Sequence, residues 1–246
     1  MSEFSEKFTE KVFPNGKMSF AQTDPEFYEL FSAFAFDEAV HSAGLDEPTR
    51  FLAILASLTG CGGTDAYREM LPAALSCGVP PEAVKEMLYQ ATAYLGFGKV
   101  LSFLKATNEI FAEKGIPLPS AGKRTVFADR AQKGEDVQVE VFGEGMRGFS
   151  HSGKEEVRHV NFWLSANCFG DYYTRTGLNV AQREMITFCF LMAQGGCEPQ
   201  LIAHAKGNMH IGNDKNFLIC VVSQCLPYVG YPRSLNALRC IEEAAK

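Results

Sequence analysis

The sequence has little that would suit a membrane, an export pathway or a nucleic acid. No uncharged apolar stretch reaches the ~18 residues that a membrane-spanning helix needs. The amino terminus has no apolar run after a basic start, so it predicts no signal peptide. The 23 Lys and Arg are outnumbered by 29 Asp and Glu, and the net charge of −6 disfavours a nucleic-acid groove. We therefore expect a soluble, cytoplasmic protein that binds neither membranes nor nucleic acids.

The chain also lacks the spacings that mark dithiol and metal sites. Its 8 cysteines include no Cys-x-x-Cys pair, which is the spacing of redox dithiols and zinc knuckles. His204 and His210 would not share a helix face well, and the other histidines are dispersed. Because no export signal is present, we expect reduced thiols, most of them packed in the core. The sequence predicts no metal and no cofactor.

What the chain does have is the same block of sequence twice. Residues 25–111 and 157–244 align at an offset of 133 residues, which becomes 134 after one extra residue in the second copy. The clearest agreement is QATAYLGF from Gln90, which returns as QCLPYVGY from Gln224. A duplication of this length predicts two copies of one structural unit. We divide the chain into an N-terminal arm (1–24), a first repeat (25–116), a connector (117–156) and a second repeat (157–246).

Within each copy the apolar residues recur at helical spacing. In the first copy Leu52 and Leu55 begin one such stripe, and the second copy repeats it from Met185 and Phe188. Strand-type alternation is scarce, so we predict an all-α protein with about five helices per copy. Single apolar stripes indicate that the helices pack on one another and that the two copies share a core.

The connector contains a short stretch that is similar to a nucleotide-binding unit. Residues 137–142, VQVEVF, alternate like a strand, and residues 143–148, GEGMRG, fit the fingerprint G-x-G-x-x-G. No helix is predicted to open at Gly148 and no series of alternating strands and helices follows, so the context of a dinucleotide fold is absent. We interpret the segment as a strand and a turn between the duplicated units.

Chemical groups that occur in only one copy are candidates for function. Cys197 and His204 occur only in the second copy, 7 residues apart. A helix that spans them would place both on one face, because this distance is about two turns. A Cys at the amino end of that helix would have a lowered pKa, and a nearby His can exchange a proton near neutral pH. The alternative is that both residues only pack in the core.

The second copy resembles the carboxymuconolactone decarboxylase family. The resemblance rests on runs that are spread over this copy: YTRTGL at 173–178, QRE at 182–184, GCE at 196–198 and YVGYP at 228–232, together with His204. The first copy is similar through GLD at 44–46 and AYLGF at 93–97. The resemblance implies a duplicated helical bundle of the alkylhydroperoxidase D-like type that acts on a small molecule. It also implies a homo-oligomer, a trimer for a tandem chain with a hexamer as the alternative.

Two branches of the family imply different chemistry. The alkylhydroperoxidase branch reduces peroxides with a Cys-x-x-Cys pair, a following His and an upstream Glu. Cys197 and His204 match the first Cys and the His, and Glu184 lies near the position of the Glu. Gln200 stands where the second Cys would be, so no local disulfide can form. A peroxidase that uses Cys197 with an external thiol is one alternative, and a non-catalytic assembly unit is another.

The decarboxylase branch, a carboxy-lyase, needs no second thiol and matches the pattern of this chain better. Decarboxylation of a carboxylated lactone requires a cation for the carboxylates, donors for the developing charge and an acid for the carbanion. We predict Arg183 or Arg175 as the cation and His204 as the proton donor or acceptor. Glu184 is predicted to orient His204, and Cys197 to line the pocket. The alternative for Arg183 is a structural ion pair, because the copy without the His has an arginine at the matching position.

Overall fold

The computed structural model describes residues 2–13, 16, 18–42, 44–118, 122 and 125–246, and every regular element in these ranges is helical. The all-α prediction is therefore confirmed. The arm and the first repeat contain α1 (Glu3–Val12), α2 (Pro25–Ala33), α3 (Ala39–Ser42), α4 (Glu47–Cys61), α5 (Thr64–Ser76), α6 (Pro81–Leu95) and α7 (Phe97–Glu113). The connector and the second repeat contain α8 (Arg130–Phe142), α9 (Arg158–Trp163), α10 (Val180–Gln194), α11 (Glu198–His210), α12 (Lys215–Val229) and α13 (Tyr231–Ala244).

Two π-helical segments and four short 3-10 turns complete the described structure. The π-helical segments occupy matching places in the two repeats, Phe34–Glu38 after α2 and Leu164–Tyr173 after α9. The 3-10 turns lie at Ser19–Ala21, Glu144–Met146, Phe149–His151 and Glu155–Val157. None of the helices in the described ranges has the length and apolar character needed to cross a membrane.

The central helices of the two repeats, α4 and α10, are buried along almost their whole length and lie against each other. Gly60 of α4 is at the crossing, where a Cβ atom would stand 2.8 Å from the carbonyl oxygen of Phe190. A side chain there would overlap the backbone of α10, so glycine sets how closely the two helices approach. One continuous hydrophobic core includes residues of both repeats. This confirms the prediction that the two copies share a core.

Each repeat also packs one helix against the other repeat. Helix α6 contacts α10, and α12 contacts α3 and α4. The matching glutamines Gln90 and Gln224 lie at these crossings: Gln90 Nε2 donates to the carbonyl oxygen of Arg183 at 2.9 Å, and Gln224 Nε2 donates to that of Ala39. Buried backbone carbonyls need such partners. The side chains that agree between the copies therefore hold the copies together.

The connector forms a helix where the sequence predicted a strand, so that prediction was wrong. The alternating valines of residues 137–142 belong to α8, and 3-10 turns follow it. Helix α8 lies directly on the second π-helical segment. A Cβ atom at Gly134 would stand 1.9 Å from the carbonyl oxygen of Ser165, and one at Gly170 would stand 2.2 Å from that of Arg130. This close backbone packing overrides the strand preference of the valines.

Candidate functional site

Helix α11 carries the two groups that distinguish the second repeat. It begins directly after Cys197, and Pro199 stands in its first turn, where a proline is compatible with a helix. Cys197 and His204 lie two turns apart along it and line the same cavity. The prediction that a helix places them on one face is confirmed.

The cavity has a volume of about 560 Å³ and lies between α11, α8, the second π-helical segment and the carboxyl ends of α6 and α10. Most of its wall is apolar, with side chains that include Phe142, Met146, Leu164, Phe169 and Leu191. A few polar side chains interrupt this wall: Tyr94, Gln138, Cys168, Gln194, Cys197, Gln200 and His204. No Lys or Arg of the described ranges lines it. An apolar cavity with few polar groups is typical of a small-molecule site.

His204 is held in one orientation by a carboxylate and two aromatic rings. Its Nδ1 lies 2.8 Å from Oε2 of Glu184, which is fully buried in α10. The rings of Tyr94 and Phe142 meet the imidazole edge-on, with centroids 5.5 Å and 5.2 Å away. Since Glu184 engages Nδ1, Nε2 is the ring nitrogen that remains for a ligand. The structure thus brings His204 into contact with Glu184, and Cys197 lines the same cavity as His204.

A chain of hydrogen-bonded hydroxyl groups connects the second carboxylate oxygen of Glu184 to the cavity wall. The Tyr173 hydroxyl donates to Oε1 of Glu184 at 2.7 Å, and its oxygen lies 2.8 Å from Thr187 Oγ1 and 3.0 Å from the Tyr94 hydroxyl. Because Tyr173 donates its single proton to Glu184, the other two hydroxyls donate to Tyr173. Burial raises the pKa of Tyr173 and of Tyr94 well above the usual range, so both hydroxyls stay neutral.

The prediction of a lowered pKa for Cys197 was wrong. Burial raises the pKa of this thiol above its ordinary value, which a hydrogen bond with Gln194 offsets only in part. Its Sγ donates to the carbonyl oxygen of Leu191 at 3.4 Å. A second thiol, Cys168, lines the cavity from the π-helical segment, and burial raises its pKa to about 12. Desolvation is the largest cause at both thiols, and a raised pKa keeps both of them protonated at neutral pH.

The structure does not bring the two predicted arginines to this cavity. Arg183 is fully buried, and its guanidinium donates to Glu86 Oε2 at 3.0 Å, to Gln90 Oε1 at 2.9 Å and to the carbonyl oxygen of Arg175 at 2.9 Å. Arg175 donates to the same Glu86 at 2.8 Å and lines a different cavity, of about 830 Å³. Burial lowers the pKa of Arg183, which Glu86 offsets in part. This geometry favours a structural ion pair that joins α6 to α10.

Sequence reasoning did not single out four polar residues of this region. When the two copies are aligned at the offset of 133, Cys168 and Tyr173 match Ala35 and Val40. These differences between the copies could have revealed both residues. Tyr94 has a matching tyrosine in the other copy and therefore showed no difference. Gln138 lies in the connector, which has no second copy.

The first repeat has no equivalent of this site. Phe51 stands in place of Glu184 at the offset of 133, and Met70 stands in place of His204 at the offset of 134 that relates α5 to α11. Both side chains are buried in the core. Over the described ranges, no group of three or more His, Cys, Asp and Glu side chains could hold a metal ion. The buried pair of Glu184 and His204 thus has no counterpart at the matching positions of the first repeat.

Comparison with known proteins agrees with the two repeats. The sequence model of the Carboxymuconolactone decarboxylase family matches residues 25–109 and 161–243. A search of curated proteins gives no match. A solved structure from Burkholderia xenovorans LB400, described as a "putative gamma-carboxymuconolactone decarboxylase subunit", is similar with a TM-score of 0.55. The two sequences are 19% identical, and the match covers 98% of this chain and 96% of the other. This likeness concerns the fold.

Proposed function

The chain belongs to the carboxymuconolactone decarboxylase family, and on that basis we propose that it is a carboxy-lyase acting on a small carboxylated lactone or a related acid. The observation that carries the proposal is the pair of His204 and Glu184 on the wall of a mostly apolar cavity. A histidine oriented by a buried carboxylate is suited to transfer a proton to or from a bound molecule. The absence of this pair from the first repeat supports a role beyond packing.

The proposed reaction follows from the position of this pair. The bond between a ring carbon and its carboxylate breaks, carbon dioxide leaves, and the electron pair stays on the carbon and spreads into the lactone. The doubly protonated imidazolium of His204 then gives its Nε2 proton to that carbon, while Nδ1–H stays hydrogen-bonded to Glu184. The neutral imidazole that remains takes up a proton from solvent, which restores the imidazolium. The apolar wall favours the step in which a charged carboxylate becomes neutral carbon dioxide.

A thiol-dependent peroxidase is the second candidate, because Cys168 and Cys197 line one cavity. Peroxide reduction requires a thiolate, whereas burial raises the pKa of both thiols. Gln200, at the position of the second Cys of peroxidases, also lines the cavity and cannot form a disulfide. We therefore place decarboxylation first. A unit that serves assembly alone, the third candidate, would need neither the cavity nor the buried pair.

Two assays run in parallel distinguish these candidates. The first measures carbon dioxide release from a panel of carboxylated lactones, and the second measures peroxide consumption with a supplied thiol. The proposal predicts turnover in the first assay. Peroxide consumption that disappears in Cys197→Ser, without lactone turnover, would instead support the peroxidase. Inactivity in both assays would favour the assembly unit.

We further propose that the chain assembles into a homotrimer, with the hexamer as the alternative. Phe27 and Leu30 of α2 are 58% and 73% exposed, and Tyr231 of α13 is 59% exposed. The matching positions of the other copy are also exposed: Val160 and Trp163 of α9 in the second repeat match Phe27 and Leu30, and Phe97 of α7 in the first repeat matches Tyr231. Apolar exposure that recurs in both copies supports a face that is covered by further copies of the chain.

Light scattering after size-exclusion chromatography tests the assembly. The trimer has three times the mass of the 27.1 kDa chain. Leu30→Glu and Trp163→Glu place charges on the exposed faces of the two repeats, and we expect each to shift the protein towards smaller species. A wild-type protein that elutes as a monomer would contradict the assembly proposal.

A further inference from the structure

One buried amide group on the cavity wall has no protein partner. Gln138 of α8 is fully buried and lines the cavity that contains His204. Its Nε2 atom makes no hydrogen bond to any residue that the structure describes. A buried amide donor without a partner is unfavourable, and such groups are rare in folded proteins. A donor of this kind on a cavity wall therefore indicates that a ligand supplies the acceptor.

The surroundings of Gln138 fix which end of the amide stays free. The Ser165 hydroxyl, also fully buried, donates to Oε1 of Gln138 at 2.5 Å. Oε1 is thereby occupied as an acceptor, and Nε2, which can only donate, is the end that remains. The free end of the side chain is a hydrogen-bond donor with no charge.

The backbone that carries Gln138 cannot shift easily. Gly134, one turn earlier in α8, lies so close to the second π-helical segment that a Cβ atom would stand 1.9 Å from the carbonyl oxygen of Ser165. At the amino end of the helix, the Arg130 guanidinium donates to Asp171 Oδ2 at 2.8 Å. Close packing and this ion pair hold α8 on the segment that forms the opposite part of the wall. The donor is therefore positioned before any ligand enters.

Gln138 and His204 are linked through one aromatic ring. Phe142 follows Gln138 by four residues, so the two side chains lie on the same face of α8. The Phe142 ring also meets the imidazole of His204 edge-on, with the centroids 5.2 Å apart. Both polar groups line the same cavity of about 560 Å³. A small molecule in it can reach both.

We propose that Gln138 is a substrate-binding residue whose Nε2–H donates a hydrogen bond to a carboxylate or carbonyl oxygen of the substrate. This inference rests on the proposed function for the choice of substrate, a small carboxylated lactone. The donor binds one oxygen, the apolar wall contacts the ring, and His204 faces the reacting carbon. Gln138 lies between the two regions that match the family, so the connector supplies a contact from outside both repeats. The role is binding and orientation, and no bond is made or broken at Gln138.

Isothermal titration calorimetry with γ-butyrolactone-γ-carboxylate as the probe tests this role. Gln138→Met has a similar shape and no donor, and we expect it to weaken binding by about five- to tenfold, the usual effect of one hydrogen bond. Gln138→Glu still accepts from Ser165 but presents a carboxylate, and we expect a loss of about tenfold or more. Gln132→Glu makes the same change on the exposed face of α8 and should bind like the wild type.

Chemical denaturation without the probe distinguishes this role from a purely structural one. Gln138→Met loses the acceptor of the Ser165 hydroxyl but no longer buries an unpaired donor, and because these two effects oppose each other we expect a free energy of unfolding close to that of the wild type. A clear loss of stability with unchanged binding would overturn the inference, and so would failure of the wild-type protein to bind the probe at millimolar concentration.

Measurements of probe binding and of lactone turnover can show separately whether the role of Gln138 and the proposed decarboxylase function are correct. His204→Ala should still bind the probe, with the same dependence on Gln138, because the histidine is assigned to the proton transfer. Binding that depends on Gln138, in a protein that releases no carbon dioxide from any lactone, would overturn the decarboxylase and leave the binding site. Turnover that is unaffected in Gln138→Met would overturn the binding role alone.

Discussion

Glu184 accepts a hydrogen bond from Nδ1 of His204 at 2.8 Å, although the two residues lie on different helices. The contact places a fully buried carboxylate behind a histidine on the cavity wall. Tyr173 occupies the other oxygen of the carboxylate, so Glu184 has a partner for each of its oxygens. This arrangement fixes which imidazole nitrogen faces a ligand, and most of the expected behaviour of the site depends on it.

Replacing Glu184 by glutamine should reduce turnover more than it alters the fold. The Glu184 carboxylate accepts hydrogen bonds from His204 and Tyr173. In Glu184→Gln the amide has only one oxygen that can accept, so at most one of these two hydrogen bonds can still form. We expect the rate of lactone turnover to fall by about tenfold or more. Glu140→Gln, on the exposed face of α8, is the matched control. Equal rates in the two variants would show that Glu184 does not act through His204.

Arg183 is expected to stabilise the fold and not to bind substrate. Arg183→Met removes the cation that contacts Glu86 and Gln90, and the loss of one partner of a buried ion pair typically costs about 3 kcal/mol or more. Arg68→Met, which breaks an exposed pair with Glu109, should cost less than about 1 kcal/mol. Urea denaturation measures both. A stable Arg183→Met protein with a raised KM would restore the substrate-binding role that the sequence suggested.

Gly134 should tolerate no side chain. In Gly134→Ala the new Cβ atom would overlap the carbonyl oxygen of Ser165, which belongs to a helical backbone and cannot rotate away. We expect a loss of roughly 1–3 kcal/mol in the free energy of unfolding, the usual range for overpacking. At Gly145 a Cβ atom meets nothing within 4 Å, so Gly145→Ala is the control. Equal stability of the two variants would mean that α8 is not packed as closely as described.

The reactivity of Cys197 should follow pH in the direction set by burial. Burial raises the pKa of this thiol, so its thiolate fraction at neutral pH is smaller than that of an ordinary thiol. We expect the rate of alkylation by iodoacetamide, mapped by mass spectrometry, to rise with pH and to reach its midpoint at a higher pH than for a free cysteine. Cys168, whose pKa is raised to about 12, should react still later. A midpoint for Cys197 at a lower pH than for a free cysteine would favour the peroxidase.

The sequence predicted the helical repeats well because their signals are local. Apolar residues at helical spacing, repeated from Leu52 and from Met185, mark α4 and α10 without any knowledge of their partners. The pairing of Cys197 with His204 was also local, since Cys197 directly precedes the helix that contains His204. The strand predicted at residues 137–142 failed for the opposite reason. Its helical form depends on Gly134 and on a segment that follows about thirty residues later in the chain.

The remaining features of the site depend on contacts between distant parts of the chain. Arg183 meets Glu86 across the boundary between the repeats, and no spacing in the sequence reveals this pair. The pKa of Cys197 depends on how deeply folding buries the thiol, which a helix position alone does not set. Gln138 reaches the cavity only because α8 packs on the π-helical segment. The sequence shows which residue types are present, but tertiary packing determines whether each of them lies on the cavity wall or in the core.

The central claim is that His204 transfers the proton in a decarboxylation, and the direct measurement is kcat for carbon dioxide release by His204→Ala beside His210→Ala. Both changes remove a histidine from α11, but His204 is buried on the cavity wall and His210 is exposed. We predict that His204→Ala lowers kcat by about a hundredfold or more, with an unchanged circular dichroism spectrum, while His210→Ala matches the wild type. A folded His204→Ala protein with wild-type kcat would contradict the account.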